Sequence, residues 1–207
     1  MKSDPIVYVV DDDISVSKAL GRLFRVAGLR LEAFATAQDF LDFEGFESPS
    51  CLVLDVQLPD RNGLDLQQEL KARGRAVSIV FITGHGDVPT AVKAMREGAV
   101  HFLSKPFDNR ELLAAVQQAI RQQQQELDQE GERERVQVLL NLLTPREREV
   151  FFLVASGMPN KNIAAQLDVS LQSIKLYRGR VMEKLRLESA ADLVRLAEMA
   201  KSFHTPG

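Results

Sequence analysis

The chain has one cysteine and no tryptophan in 207 residues. A single thiol, Cys51, rules out an intrachain disulfide framework and a cysteine-rich metal site. It fits a reducing cytoplasm, where its role is that of a small core residue. Long apolar runs are also missing. No stretch reaches the roughly eighteen apolar residues of a membrane span, so no membrane association is expected. The first apolar run, Ile6–Val10, is five residues long and ends in three aspartates, too short for a signal peptide. Neither sign of charge dominates, and the net is −3. Residues 1–125 carry −3, residues 126–143 another −3, and residues 144–207 carry +3. An acidic front and a basic tail suggest that the tail is the part that meets a polyanion. The hydrophobic share of 45% and charged share of 27% are ordinary for a globular protein. The length suits two domains.

In the first half, apolar runs alternate with helical spacing. Ile6–Val10 reads as a strand, and Val16, Leu20, Leu23, Phe24 and Ala27 then recur at helical intervals until Gly28. Leu29–Phe34 is a second strand, and Thr36 caps a short helix carrying Phe40 and Leu41. Cys51–Asp55 is a third strand, followed by a loop with Pro59 and Gly63 and a helix marked by Leu64, Leu66 and Leu70. Val77–Ile82 is a fourth strand. Asp87 caps a helix carrying Val92 and Met95, which Gly98 stops. Val100–Leu103 is a fifth strand, and Asn109 caps the helix carrying Leu112, Leu113, Val116 and Ile120. Five strands alternating with five helices predict an α/β doubly wound, five-stranded parallel sheet with helices on both faces.

Parallel strands place their carboxyl ends on one edge, where ligands and chemistry collect. That edge would hold Asp11 and Asp12, then Asp55, Thr83 and Lys105. Taken alone, Asp55 could simply open a turn, Thr83 before Gly84 could be structural, and so could Lys105 before Pro106. Together they describe a chemistry. Crowded carboxylates repel one another, and a hard cation such as Mg²⁺ relieves this with oxygen ligands. A hydroxyl and an ammonium beside it suit phosphoryl oxygens. One carboxylate can then be the nucleophile, forming an aspartyl phosphate.

On these residues, with Leu58-Pro59, Gly63 and Lys105-Pro106-Phe107, residues 5–122 closely resemble the receiver domain of two-component response regulators. The resemblance implies that Asp55 accepts phosphate from a sensor histidine kinase. It implies that Asp12, Asp55 and the backbone carbonyl of Gln57 hold Mg²⁺, with Asp11 acting mostly through water. Lys105 would pair with the phosphoryl oxygens, Thr83 would move to the phosphate, and Phe102 stands at the aromatic switch position. The peptide before Pro106 is expected to be cis. Asp13 reads as an exposed helix-entry carboxylate, and His85 and His101 as surface residues.

A polar, helix-favouring connector follows, with a break expected at Gly131 and too few apolar positions for a coiled coil. Val136, Leu139, Leu140 and Leu143 should dock on the next domain. From there every pattern is helical. Thr144-Pro145-Arg146-Glu147 and Ser189–Asp192 are capping boxes, Asn160 caps a short helix, and Ser170 caps a longer one reaching Leu185. Two helices joined by the tight turn Asp168-Val169, the second one basic, form a helix-turn-helix pattern. At about 100° per residue, Ile174, Tyr177, Val181 and Leu185 face inward. Lys175, Leu176 and Gly179 face outward, flanked by Arg180 and Glu183, with Arg178 near the boundary. Lys with an apolar neighbour suits guanine edges and thymine methyls in a major groove.

Residues 143–200 are similar to the DNA-binding domain of LuxR/FixJ/NarL regulators, in Leu143–Val150, Gly157–Ala164 and Ile174-Lys175. The resemblance makes Lys175, Leu176 and Gly179 base-facing, and Lys161, Arg178 and Arg180 phosphate contacts. Two departures are Tyr177, where His is common, and Gly179, where some members carry a base-contacting side chain. The expected organisation is a receiver over 1–122, a helical linker over 123–142 and a LuxR-type helix-turn-helix domain over 143–207. The expected function is phosphorylation-dependent transcription control in the cytoplasm. The implied partners are a sensor histidine kinase, double-stranded promoter DNA, RNA polymerase and a second copy on phosphorylation. No enzyme activity is expected beyond the receiver's own Mg²⁺-dependent phosphoryl transfer and autodephosphorylation. Two other readings are a Mg²⁺-dependent phosphatase and a DNA-binding protein with a passive receiver fold. The first would want a carboxylate where Gln57 stands, and the intact Asp12, Asp55, Thr83 and Lys105 set argues against the second.

Overall fold

The structure, a computed structural model, describes residues 4–203 apart from Ser48, Ala76, His85 and Gly86. Two compact units divide between Leu127 and Asp128.

The first unit is the five-stranded sheet. Strands β1 (Ile6–Val10), β2 (Arg30–Phe34), β3 (Ser50–Asp55), β4 (Ser78–Thr83) and β5 (His101–Ser104) lie in the order β2-β1-β3-β4-β5, and every pair is parallel. β1, β3 and β4 are buried along their whole length, which is why they read as unbroken apolar runs. Their alternate residues separate to two faces. Val7, Val9, Cys51, Val53, Val80 and Ile82 share a core with α1 (Ile14–Val26) and the start of α5 (Asn109–Asn141). Tyr8, Val10, Leu52, Leu54 and Phe81 share the other with α2 (Ala37–Asp42), α3 (Gly63–Ala72) and α4 (Val88–Arg96). Cys51 is fully buried and its thiol is pushed above the usual range by burial alone, so it is an inert core residue.

The second unit is helical: α6 (Pro145–Ala155), α7 (Asn160–Gln166), α8 (Leu171–Leu185) and α9 (Ala190–Ser202). Val136, Leu140 and Leu143 are buried with Val150, Phe151, Ile163, Ile174 and Leu193. The amphipathic turn before Thr144 therefore docks as its spacing predicts. Both capping boxes are present.

Five local expectations are corrected. Asp108, not Asn109, opens α5: its carboxylate accepts from Arg110 N–H at 2.6 Å. Asn160 makes no capping bond, and Pro159 holds that position. Gly131 does not break the helix, and α5 runs through it. One glycine costs a helix about 1 kcal/mol, and the surrounding Glu, Gln, Arg and Leu outweigh it. α4 buries Ala94, whereas Val92 and Met95 are exposed. His101 is half-buried in β5, its Nδ1 accepting from Phe102 N–H at 2.9 Å. His85 lies outside the described residues.

Candidate functional site

The strand order reverses direction between β1 and β3. In an open parallel sheet the crevice at that switch point is where ligands bind. Asp11 directly follows β1, and Asp55 ends β3 beside it. Asp11 and Asp55 are buried and Asp12 is exposed, and each offers an oxygen within 4.8 Å of the others. Asp13 stays outside this group and caps α1, accepting from Ser15 N–H at 2.7 Å.

Lys105 spans the pocket. Its Nζ lies 2.6 Å from Asp11 Oδ2 and 2.6 Å from Asp55 Oδ2. Burial works to lower its pKa, yet the bonds to the two carboxylates outweigh burial and hold the ammonium above the ordinary lysine range. Lys105 is reached through a cis peptide to Pro106, and its N–H donates to Thr83 O at 2.7 Å. Thr83 is fully buried at the end of β4. Phe102 is half-buried on β5, its ring 6.2 Å from that of Phe81. Gln57 is exposed, and its N–H donates to Asp55 Oδ1 at 2.9 Å. One edge thus gathers Asp11, Asp12, Asp55, Gln57, Thr83 and Lys105. Phe102 lies one strand position before Leu103, away from that edge.

Two residues of this edge were not assigned a role from sequence. Gly63, read as turn punctuation, stands against the strand end. A Cβ there would lie 2.3 Å from the Asp55 carbonyl oxygen, so only glycine lets the loop close over the Asp55 backbone. Its N–H donates to Val56 O at 2.8 Å. Asp60 accepts from the Ala37 and Gln38 amides at 3.2 and 3.0 Å. It thereby ties the loop after Asp55 to the start of α2. A carboxylate in a turn is the only local signal it leaves.

In the second unit, Ile174, Val181 and Leu185 are buried and Tyr177 is half-buried, as the face assignment requires. Lys175, Leu176, Gly179 and Arg180 are exposed on α8, and Lys161 is exposed on α7. Leu176 is 54% exposed, an apolar side chain on the same helix as the exposed Lys175 and Arg180. Arg178 is half-buried, and its Nη1 donates to Asn160 Oδ1 at 2.7 Å.

A switch-point pocket of three aspartates under a bridging lysine, joined in one chain to a helix-turn-helix unit, defines the class of response regulators that bind DNA. The comparisons agree. Residues 7–117 match the family described as response regulator receiver domain. Residues 141–197 match bacterial regulatory proteins, luxR family. The chain is 46% identical over 193 residues to nodulation protein W of Bradyrhizobium diazoefficiens, covering 93% of this chain and 85% of that one. It is 40% identical over 194 residues to transcriptional regulatory protein FixJ of the same organism, covering 94% and 95%. Among solved structures, response regulator StyR superposes with a TM-score of 0.85 at 40% identity, covering 95% of this chain and 99% of that one. Full-length FixJ from B. japonicum gives 0.59 at 39% identity, covering 98% and 99%. The chain belongs to the FixJ/NarL-type response regulators, two-component transcription factors with a receiver and a LuxR-type DNA-binding domain. No helix among the described residues is long and apolar enough to cross a membrane.

Proposed function

We propose that Asp55 accepts a phosphoryl group from the phosphohistidine of a sensor histidine kinase, and that this controls promoter binding by α8. The observation that carries the reading is the Lys105 ammonium, held 2.6 Å from both Asp11 and Asp55. A cation so placed neutralises phosphoryl oxygens at Asp55 without having to be recruited. The Asp55 carboxylate attacks phosphorus as the phosphorus–nitrogen bond breaks, leaving an acyl phosphate and a free imidazole. The hard oxygen donors of the pocket fit Mg²⁺. Asp12, Asp55 and the Gln57 carbonyl would hold it, with Asp11 acting through water. When bound, the ion supplies charge neutralisation for the transferring group.

The Thr83 hydroxyl turns to hydrogen-bond the new phosphoryl group, and Phe102 moves toward the space it leaves. The face of α4 and β5 changes shape with them. Val88, Val92 and Met95 already stand exposed on α4, an apolar set suited to pairing two receivers. Pairing brings two α8 helices to half-sites about one DNA turn apart, where Lys175, Leu176 and Gly179 meet bases and Lys161, Arg178 and Arg180 meet phosphates. The DNA-bound dimer then acts on RNA polymerase. The receiver performs only its own phosphoryl transfer and autodephosphorylation.

The experiment is labelling by a phosphohistidine donor or acetyl phosphate in Mg²⁺. Asp55→Ala should abolish incorporation and leave the protein folded. Equal labelling of the variant, mapped to another residue by mass spectrometry, would overturn the assignment.

A further inference from the structure

We infer that Asn160 is a positioning residue for DNA binding: its side-chain carbonyl fixes the Arg178 guanidinium at the rim of the groove-facing surface of α8. The inference rests on the DNA-facing assignment of α8 and adds to it a residue that never needs to touch DNA.

Asn160 begins α7, where an asparagine would ordinarily serve as the cap. Here Pro159 is the cap and offers no side-chain bond. The Asn160 side chain is therefore free of the helix start. It reaches instead across to α8, where its Oδ1 accepts from Arg178 Nη1 at 2.7 Å, eighteen residues along the chain. Arg178 occupies the boundary of α8. Four residues before it lies buried Ile174, and three before it lies exposed Lys175.

A guanidinium carries five N–H donors in a rigid plane. Asn160 takes one, which sets the plane and leaves donors for a phosphate oxygen. Lys161, next in the chain and exposed, stands on the same helix end. Arg180, on the other flank of the α8 face, makes no side-chain bond among the described residues and must be ordered by DNA itself. The two flanks therefore differ in kind. Arg178 is pre-organised, so less side-chain freedom is lost when it meets phosphate.

The test is a double-mutant cycle on the full chain, activated with beryllofluoride and Mg²⁺ and titrated onto two duplexes. One duplex is selected from random DNA and the other is its scrambled form. Arg178→Ala should weaken binding to both and make the salt dependence shallower by about one unit. Asn160→Ala should weaken both by roughly threefold to tenfold, the loss expected from one unfixed long side chain, with the salt slope unchanged because no charge is removed. In the Arg178→Ala background, Asn160→Ala should cost nothing further. Equal loss in both backgrounds, or no loss in the wild-type background, would overturn the inference. If Asn160→Ala melts well below wild type, Asn160→Ser takes its place in the cycle, since serine suits a helix start and is too short to reach Arg178. The underlying reading fails separately: if Arg178→Ala and Lys175→Ala both leave binding untouched, α8 does not face DNA at all.

Discussion

Glu147 shows how much one side chain can carry in a small helical unit. It is 2% exposed. Its Oε2 accepts from the Thr144 amide at 2.9 Å, closing a capping box, and from Lys184 Nζ at 2.6 Å. Burial alone would raise its pKa, but the Lys184 and Thr144 bonds together hold it below the ordinary glutamate range. A carboxylate depressed in the folded state contributes stability that is present above its unfolded value of about 4.3. That contribution is lost as pH falls through the folded value. The helical unit should therefore lose melting temperature as pH drops below about 4.3, and Glu147→Gln should flatten that decline. At neutral pH, Glu147→Ala should cost about 1.5–3 kcal/mol, the range for a hydrogen bond to a charged group. A variant with wild-type stability and an unchanged acid limb would show that Thr144 and Lys184 find other partners.

At the scale of the helix, two glycines make a useful contrast. Gly131 lies inside α5 and Gly179 inside α8, and an added Cβ at either would meet nothing within 4 Å. Neither is required by the folded protein's own packing, and each weakens its helix. Gly131→Ala should stabilise α5 by about 0.5–1 kcal/mol, read as a higher melting temperature of the full chain. Gly179→Ala should stabilise α8 by a similar amount while weakening binding to the selected duplex, because Gly179 faces outward between Lys175 and Arg180. A more stable Gly179→Ala variant that selects the same sequence with the same affinity would mean that DNA does not come close at this turn. Lys175→Ala should lower the preference for the selected over the scrambled duplex by about 1–3 kcal/mol. Lys161→Ala should weaken both duplexes alike. Uniform weakening by Lys175→Ala would make it a phosphate contact.

For the whole molecule, the expected consequence of phosphorylation is a change of assembly. Sedimentation should show monomer in the resting protein and dimer with beryllofluoride and Mg²⁺. Val92, 43% exposed on α4 between Val88 and Met95, is placed to test the surface. Val92→Asp should hold the activated protein as a monomer and lower its affinity for a two-site duplex, while leaving labelling at Asp55 intact. The size of that loss reports effective concentration, since pairing joins two weak half-site contacts without adding new ones. A dimer that survives Val92→Asp would place the pairing surface elsewhere. An unchanged mass with tighter DNA binding would assign activation to release of the second unit.

Read alone, the sequence places the five strands and the helices except for the unbroken run of α5 through Gly131, together with both capping boxes, the buried face of α8, and the strand ends that carry Asp11, Asp12, Asp55, Thr83 and Lys105. These are local patterns that repeat every two to four residues, and parallel connectivity then forces the strand ends to one edge. Tertiary structure decided what spacing cannot carry. Lys105 meets Asp11 from 94 residues away. The Asp55 carbonyl leaves no room for a Cβ at Gly63, and Asp60 reaches back to the amides of α2. On α4, the sheet chose small Ala94 over Val92 and Met95 because the chain path, not hydrophobicity, sets which side faces it. Asn160 carries a capping residue's signature, yet its partner is an arginine one helix further on. A side chain's local preference ranks the nearby options, but a charged group brought close by the fold offers a stronger bond, and only the folded path says which one is near.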